Sequence, residues 1–148
     1  MYLSKISEST QGCGIKILIK PTDLLNSHNR KQLEQVIVQA YVKAPLLIDD
    51  LKHDLRLYML IVSVDPFIVY LNEEGLARFC TAKYSEPTGK GKIEENAQLT
   101  NYTLNKDSEN FVLTQEINEI NNGSKRTLSS YWKSVTAMNK DTRTVLIY

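Results

Sequence analysis

The stretch KHDLRLYMLIVSVDPFIVYLNEEGLARFCT, residues 52–81, decides the fold. From Leu55 to Val64 it is almost entirely apolar, as a core strand is. Asp65-Pro66 and Glu74-Gly75 carry turn chemistry. Three strands are therefore predicted, 54–64, 67–72 and 76–81, running as an antiparallel meander. Its apolar residues fall on both faces, so it needs covering layers.

Charged side chains interrupt this pattern. A strand alternates its faces, so Asp54, Arg56 and Tyr58 point the same way, with about 6–7 Å between successive members. Arg78 sits in the third strand between Ala77 and Phe79. Charges in such places are costly unless paired. Two readings stand on these residues. One is an internal Asp–Arg pair that fixes sheet register. The other is a cleft whose arginines hold a phosphate or carboxylate and whose Asp holds a hydroxyl or cation.

Working outward, GIKILIK (14–20) and QVIVQAYV (35–42) read as further strands, the second rich in β-branched residues. SHNRKQLEQ (27–35) allows one helical turn. Residues 83–97 are polar with Gly and Pro and are expected to form a mobile loop. QLTNYTLNK (98–106) is a short ordered or extended segment, SENFVLTQEINEINNGSK (108–125) a loop, and Ser124 or Thr127 caps a helix near 127–139. STQGCGI (9–15) places two glycines one residue apart before a strand. That pattern suits a tight turn and equally a close backbone approach to phosphate. The final apolar run, TRTVLIY, is expected to belong to something larger.

With 148 residues, 42% hydrophobic and 24% charged, the chain has the composition of one soluble globular domain. A net charge of +1 makes no broad electrostatic case for nucleic acid or a membrane surface. No apolar stretch is long enough to cross a bilayer, and MYLSKISEST lacks the pattern of a signal peptide. Cys13 and Cys80 match no metal spacing, which suits a reduced, cytosolic setting. The sequons Asn101-Tyr-Thr and Asn122-Gly-Ser carry no weight without a secretory signal.

Five pieces recur in order at characteristic spacing: Lys5, QGCGI, QAYVKAPLLIDDLKHDLRLY, YLNEEGLARF and LTNYTLNK. Together they resemble the tubulin tyrosine ligase-like family, from about Tyr2 to Ser134. DPFIVYLNEEGLARF and LTNY resemble its glutamate-adding members. The resemblance implies an α+β, ATP-grasp-type antiparallel sheet with flanking helices. It also implies that residues 1–148 are a partial domain, lacking the N-terminal domain and the C-terminal metal-binding part. It implies a ligase that uses ATP and magnesium to add L-glutamate to the C-terminal tails of α/β-tubulin in microtubules through an acyl phosphate. The implied location is cytoplasmic, at the cytoskeleton, cilium or basal body. Neither nucleic acid nor a membrane is an implied partner.

The same resemblance assigns residues. Lys5 matches a lysine on the ATP phosphates. Gln11, Gly12, Cys13, Gly14 and Ile15 match the loop that closes over them. Gln39, Ala40, Tyr41 and Val42 match a hinge whose backbone meets adenine. Lys52 and Asp54 match nucleotide contacts, Asp54 toward the ribose. Arg56 and Arg78 match the catalytic arginines facing the phosphates and the incoming amino acid. Thr100 and Asn101 match further nucleotide contacts, and Tyr102, Thr103 and Lys106 match positions near the glutamate. The magnesium ligands are expected downstream of this chain. The look-alikes Glu116-Ile-Asn118 and Glu119-Ile-Asn121 lie too soon after Asn101 to be those ligands.

The chain departs from the family at four positions. Cys13 replaces a basic residue, Ile6 a Pro, His53 a Phe and Gln98 a His. Two rival readings accompany the ligase: a catalytically inactive nucleotide- or tubulin-binding relative, and a chain that does not fold by itself. A basic group, Lys125, Arg126, Lys133, Lys140 and Arg143, is either an ordinary solvated surface or a face for an acidic tail.

Overall fold

The structure is a computed structural model and describes residues 1–9, 13–88, 93–113 and 123–138. It is mixed α+β, and every strand pair in it is antiparallel.

The first sheet has three strands: β1 (Tyr2–Ile6), β2 (Lys16–Leu18) and β3 (Val36–Ala40), with β1 in the middle. Gly14 sits in the turn between β1 and β2 with φ +71, in the left-handed region. A Cβ there would lie 2.6 Å from Ile6 Cδ1, so the turn is built around glycine. Ser4 on β1 and Leu18 on β2 are fully buried, and Ser4 Oγ meets His28 Nε2 at 2.8 Å. His28 lies between two four-residue helices, α1 (Leu24–Ser27) and α2 (Arg30–Leu33). The single turn expected at 27–35 is α2. It begins with a capping box, in which Gln32 N–H donates to Asn29 Oδ1 and Asn29 N–H donates to Gln32 Oε1.

The second sheet orders β4 (Leu47–Ile48), β5 (Leu51–Arg56), β8 (Leu76–Phe79) and β9 (Lys125–Thr127). One face is covered by α5 (Leu128–Ala137), which Thr127 caps by accepting from Ser130 N–H, as expected. Between them lies the core: Ile48, Ala77, Phe79, Leu128, Tyr131 and Val135, with Leu51, Leu55, Leu57 and Trp132 packed around it.

The predicted meander is corrected. Residues 54–64 are not one strand, because Leu57 and Tyr58 separate β5 from β6 (Met59–Val64). β6 pairs only with β7 (Phe67–Leu71), and β8 pairs with β5 rather than with β7. The chain makes one long hairpin that reverses at Asp65-Pro66 and is interrupted on both arms. Glu74-Gly75 is therefore not a reversal. A Cβ on Gly75 would stand 2.6 Å from the carbonyl oxygen of Arg56, so glycine lets this arm run close beside the other. Leu128 N–H then donates to Gly75 O at 3.0 Å, tying the start of α5 to the same point.

The outer half of this hairpin is bare. Met59, Leu60, Ile61, Val62, Val64, Phe67, Ile68, Tyr70 and Leu71 are all exposed, Val64 by 81%. The stretch 83–97 is more ordered than expected where it is described. Tyr84 N–H donates to Asp50 O at 2.9 Å, Lys83 pairs with Asp50, and α3 (Glu95–Gln98) closes the segment.

Candidate functional site

Strand alternation builds the site. In β5, Leu51, His53 and Leu55 turn toward α5, so Lys52, Asp54 and Arg56 turn to the opposite face. Register places Arg78 of β8 beside Asp54, and Lys125 of β9 beside Arg78. Among the described strand residues, four cations thus share one sheet face with a single carboxylate.

Asp54 and Arg78 form a two-pronged ion pair. Arg78 Nε donates to Asp54 Oδ1 at 2.9 Å, and Nη2 donates to Oδ2. The bond to Asp54 raises the Arg78 pKa above its already high ordinary value. Both side chains keep roughly a third of their surface exposed, so the pair is open to solvent on one side. Arg56 is exposed and lies over the Tyr58 ring, Cζ 5.6 Å from its centroid. Both readings of these charges thus find something here: a register-fixing pair, and an accessible cationic face around it.

Lys52 is held from elsewhere in the chain. Its Nζ donates to the Tyr41 hydroxyl at 2.8 Å and stands 4.4 Å from the Tyr41 ring centre. Tyr41 in turn donates to Gln98 Oε1 at 2.5 Å, and Gln98 Nε2 donates to Ser85 O at 2.7 Å. Burial lowers the Lys52 pKa and raises that of Tyr41. At position 98 a glutamine accepts and donates at once, with no charge and no dependence on tautomer. Cys80, opposite Lys52 on the strand continuing β8, has its thiol pushed up to about 12 by burial and is an unreactive group.

A third group forms around α4 (Tyr102–Asn105). Asn105 is fully buried and makes four hydrogen bonds. Its Oδ1 accepts from Thr81 N–H and Thr81 Oγ1, and its Nδ2 donates to Leu99 O and Asn101 O. This clamp fixes the segment that carries Thr100, Asn101 and Tyr102 against β8. Tyr102 meets Phe111 edge-on at 5.7 Å, and Lys125 Nζ sits 3.8 Å from the Tyr102 ring centre. Arg78, Thr100, Tyr102, Phe111, Ser124 and Lys125 line one narrow crevice.

The structure therefore brings Asp54, Arg78, Thr100 and Tyr102 together, with Lys52 and Arg56 on the same sheet face. Lys5 and Gln39 meet each other on the first sheet, Nζ to Oε1 at 3.0 Å. Tyr41 joins Lys52, while Ala40 and Val42 are exposed beside it. Asn101 starts α4, Thr103 is half-buried on it, and Lys106 is exposed at its end. Cys13, Gly14 and Ile15 belong to the β1–β2 turn of the first sheet, with Cys13 exposed. Gln11, Gly12 and the look-alike residues 116–121 lie outside the described residues. Among the described residues no group of three or more His, Cys, Asp or Glu is placed to hold a metal ion.

Three participants escaped the sequence reading as site residues: Lys125, Gln98 and Asn105. One expectation is overturned. Arg126 cannot join a surface basic patch, because it is 3% exposed. It points to the α5 side of the sheet, donates to Asp49 Oδ2 at 2.8 Å and Gly123 O at 3.2 Å, and stacks 4.0 Å from the Phe79 ring centre. A planar, weakly hydrated guanidinium suits such a buried position.

Comparison with known proteins places the chain in a family. The family model for the tubulin-tyrosine ligase family matches residues 1–147. Tubulin polyglutamylase ttll6 of Danio rerio is 40% identical over 141 residues, covering 95% of this chain and 17% of that protein. Tubulin polyglutamylase TTLL11 of Homo sapiens is 39% identical over 144 residues, 97% of this chain and 20% of that protein. Tubulin polyglutamylase TTLL13 of Mus musculus is 42% identical over 129 residues, 87% of this chain and 15% of that protein. The chain thus spans a fifth or less of these relatives. A match along almost its whole length makes the chain a member of the tubulin-tyrosine ligase family.

Proposed function

We propose that this chain is part of an ATP-grasp ligase that joins glutamate to tubulin-tail glutamates through an acyl phosphate. Residues 1–148 would form part of its nucleotide-binding domain, working on microtubules at the cytoskeleton or cilium. The observation that carries this reading is the cationic sheet face, on which Lys52, Arg56, Arg78 and Lys125 share one side with Asp54. Phosphorylating a carboxylate brings two anions together, and fixed cations stabilise the charge that develops between them. The printed names of the relatives supply the substrate class.

In this reading Lys52 and Asp54 bind the nucleotide, and Arg56 and Arg78 face the phosphates and the amino acid. Tyr102, Thr103 and Lys106 lie on the glutamate side, and Thr100 and Asn101 complete the nucleotide contacts. Lys5 and residues 11–15 serve the phosphates, with Gln39, Ala40, Tyr41 and Val42 as the hinge that meets adenine. Bound magnesium would supply charge neutralisation on the phosphates. The described residues do not form a set that fits it.

A second reading is an inactive relative that binds nucleotide or tubulin without turnover. Cys13, where the family usually carries a basic residue, and the engagement of Arg78 by Asp54 favour it. Calorimetric titration with Mg-ATP, followed by assay of radiolabelled glutamate incorporation into microtubules, separates the two. Binding with incorporation supports the ligase. Binding without it supports the inactive relative; no nucleotide binding sinks the ligase and leaves the relative only tubulin binding, which co-sedimentation with microtubules tests.

A further inference from the structure

We infer that Lys125 is a substrate-binding residue that presents its ammonium to an oxyanion of the reacting ligands. The inference rests on the ligase reading and deepens it. Lys125 belongs to β9 and faces the same side as Asp54 and Arg78, one strand farther from Asp54. Among the described residues Asp54 is the only strand carboxylate on that face, and it is already engaged by both prongs of Arg78. Among the described ion pairs none includes Lys125. Its one described contact is the Tyr102 ring, at 3.8 Å. A ring face locates an ammonium without neutralising it, so the charge stays available.

Position strengthens the case. Lys125 shares the crevice with Arg78, Thr100 and Tyr102, between the strand that carries the guanidinium and the helix that carries the ring. Its neighbour Arg126 spends its charge in the interior on Asp49, so the two basic residues have opposite assignments. An ammonium beside a half-satisfied guanidinium suits an anion with several oxygens, either a phosphate of ATP or a carboxylate of the amino acid.

The test measures the affinity of the chain for ATP, L-glutamate and adenosine, for wild type, Lys125→Met and Lys125→Arg, by isothermal titration calorimetry. Lys125→Met is expected to weaken one anionic ligand about tenfold or more while adenosine is unchanged, and Lys125→Arg is expected to retain most of the affinity. Loss confined to ATP identifies a phosphate, and loss confined to L-glutamate identifies a carboxylate. Unchanged affinity for both anions overturns the inference, as does an equal loss for adenosine, which marks a purely structural role. Lys125→Gln repeats the measurement if the Met variant does not fold. If the wild type binds neither anion, the ligase reading itself falls and takes this inference with it. If it binds and the variants do not differ, only the role of Lys125 falls.

Discussion

Replacing His53 by Phe is expected to remove an acid-sensitive component of stability. His53 lies on the α5 side of β5, with ring centres 5.2 Å from Phe79 and 5.1 Å from Tyr131. Its Nε2 meets the Tyr131 hydroxyl at 3.2 Å, and its Nδ1 is buried with no hydrogen-bond partner. Burial therefore lowers the imidazole pKa below its ordinary 6.5. The unfolded chain takes up a proton at a higher pH than the folded one. Stability from the neutral ring is fully present above about pH 6.5 and is lost as pH falls toward the folded pKa. At pH 5 the loss is bounded at about 2 kcal/mol, from 1.5 pH units at about 1.4 kcal/mol each. At pH 7 the Phe variant loses the bond to Tyr131 and gains relief of the orphaned Nδ1. These offset to within about 1 kcal/mol. Urea unfolding followed by circular dichroism at pH 7.5 and pH 5.0 measures the difference. His28, the other histidine, is present in both proteins and cancels. Wild type and variant losing equal stability between the two pH values would refute the reasoning.

Asn105→Ala is expected to cost about 3 kcal/mol, because it takes the partner of the buried Thr81 hydroxyl and of the Leu99 carbonyl and leaves Thr81 N–H with Asn96 O alone. A drop in the unfolding midpoint checks it, and a change under 1 kcal/mol would mean the clamp is not needed. In the native state one thiol, Cys13, should react quickly with an aromatic disulfide reagent, and the second, Cys80, only on unfolding. Two fast thiols would contradict the burial of Cys80.

The parts that local chemistry controls were legible. Alternation in 52–56 puts Asp54 and Arg56 on one face, Asp65-Pro66 reads as a reversal, and of the two cap candidates, Ser124 and Thr127, the second caps α5. What escaped depends on contacts far apart in the chain. β9 is three polar residues, of which only Thr127 favours a strand, and is ordered by pairing with β8. Without β9 nothing in the sequence places Lys125 beside Arg78, or sends Arg126 inward onto Phe79. The continuous apolar run from Leu57 to Val64 hid the break at Leu57–Tyr58, because apolar character alone does not mark where pairing changes. Glu74-Gly75 looked like a reversal because glycine serves tight turns and close backbone approach alike. Gln98, which stands where the family usually has a histidine, joins Tyr41 to Ser85, a role that only the folded arrangement defines.

The junction of Tyr41, Lys52 and Gln98 has a mechanical consequence. Tyr41 leaves the first sheet, Lys52 stands in the second, and Gln98 ends a short helix, so one phenol group bears on all three. A rocking of the two sheets against each other by even an ångström would stretch a 2.8 Å link and swing the lysine's charge. Any event that reorients the first sheet is thereby felt at the second within a single side chain's reach.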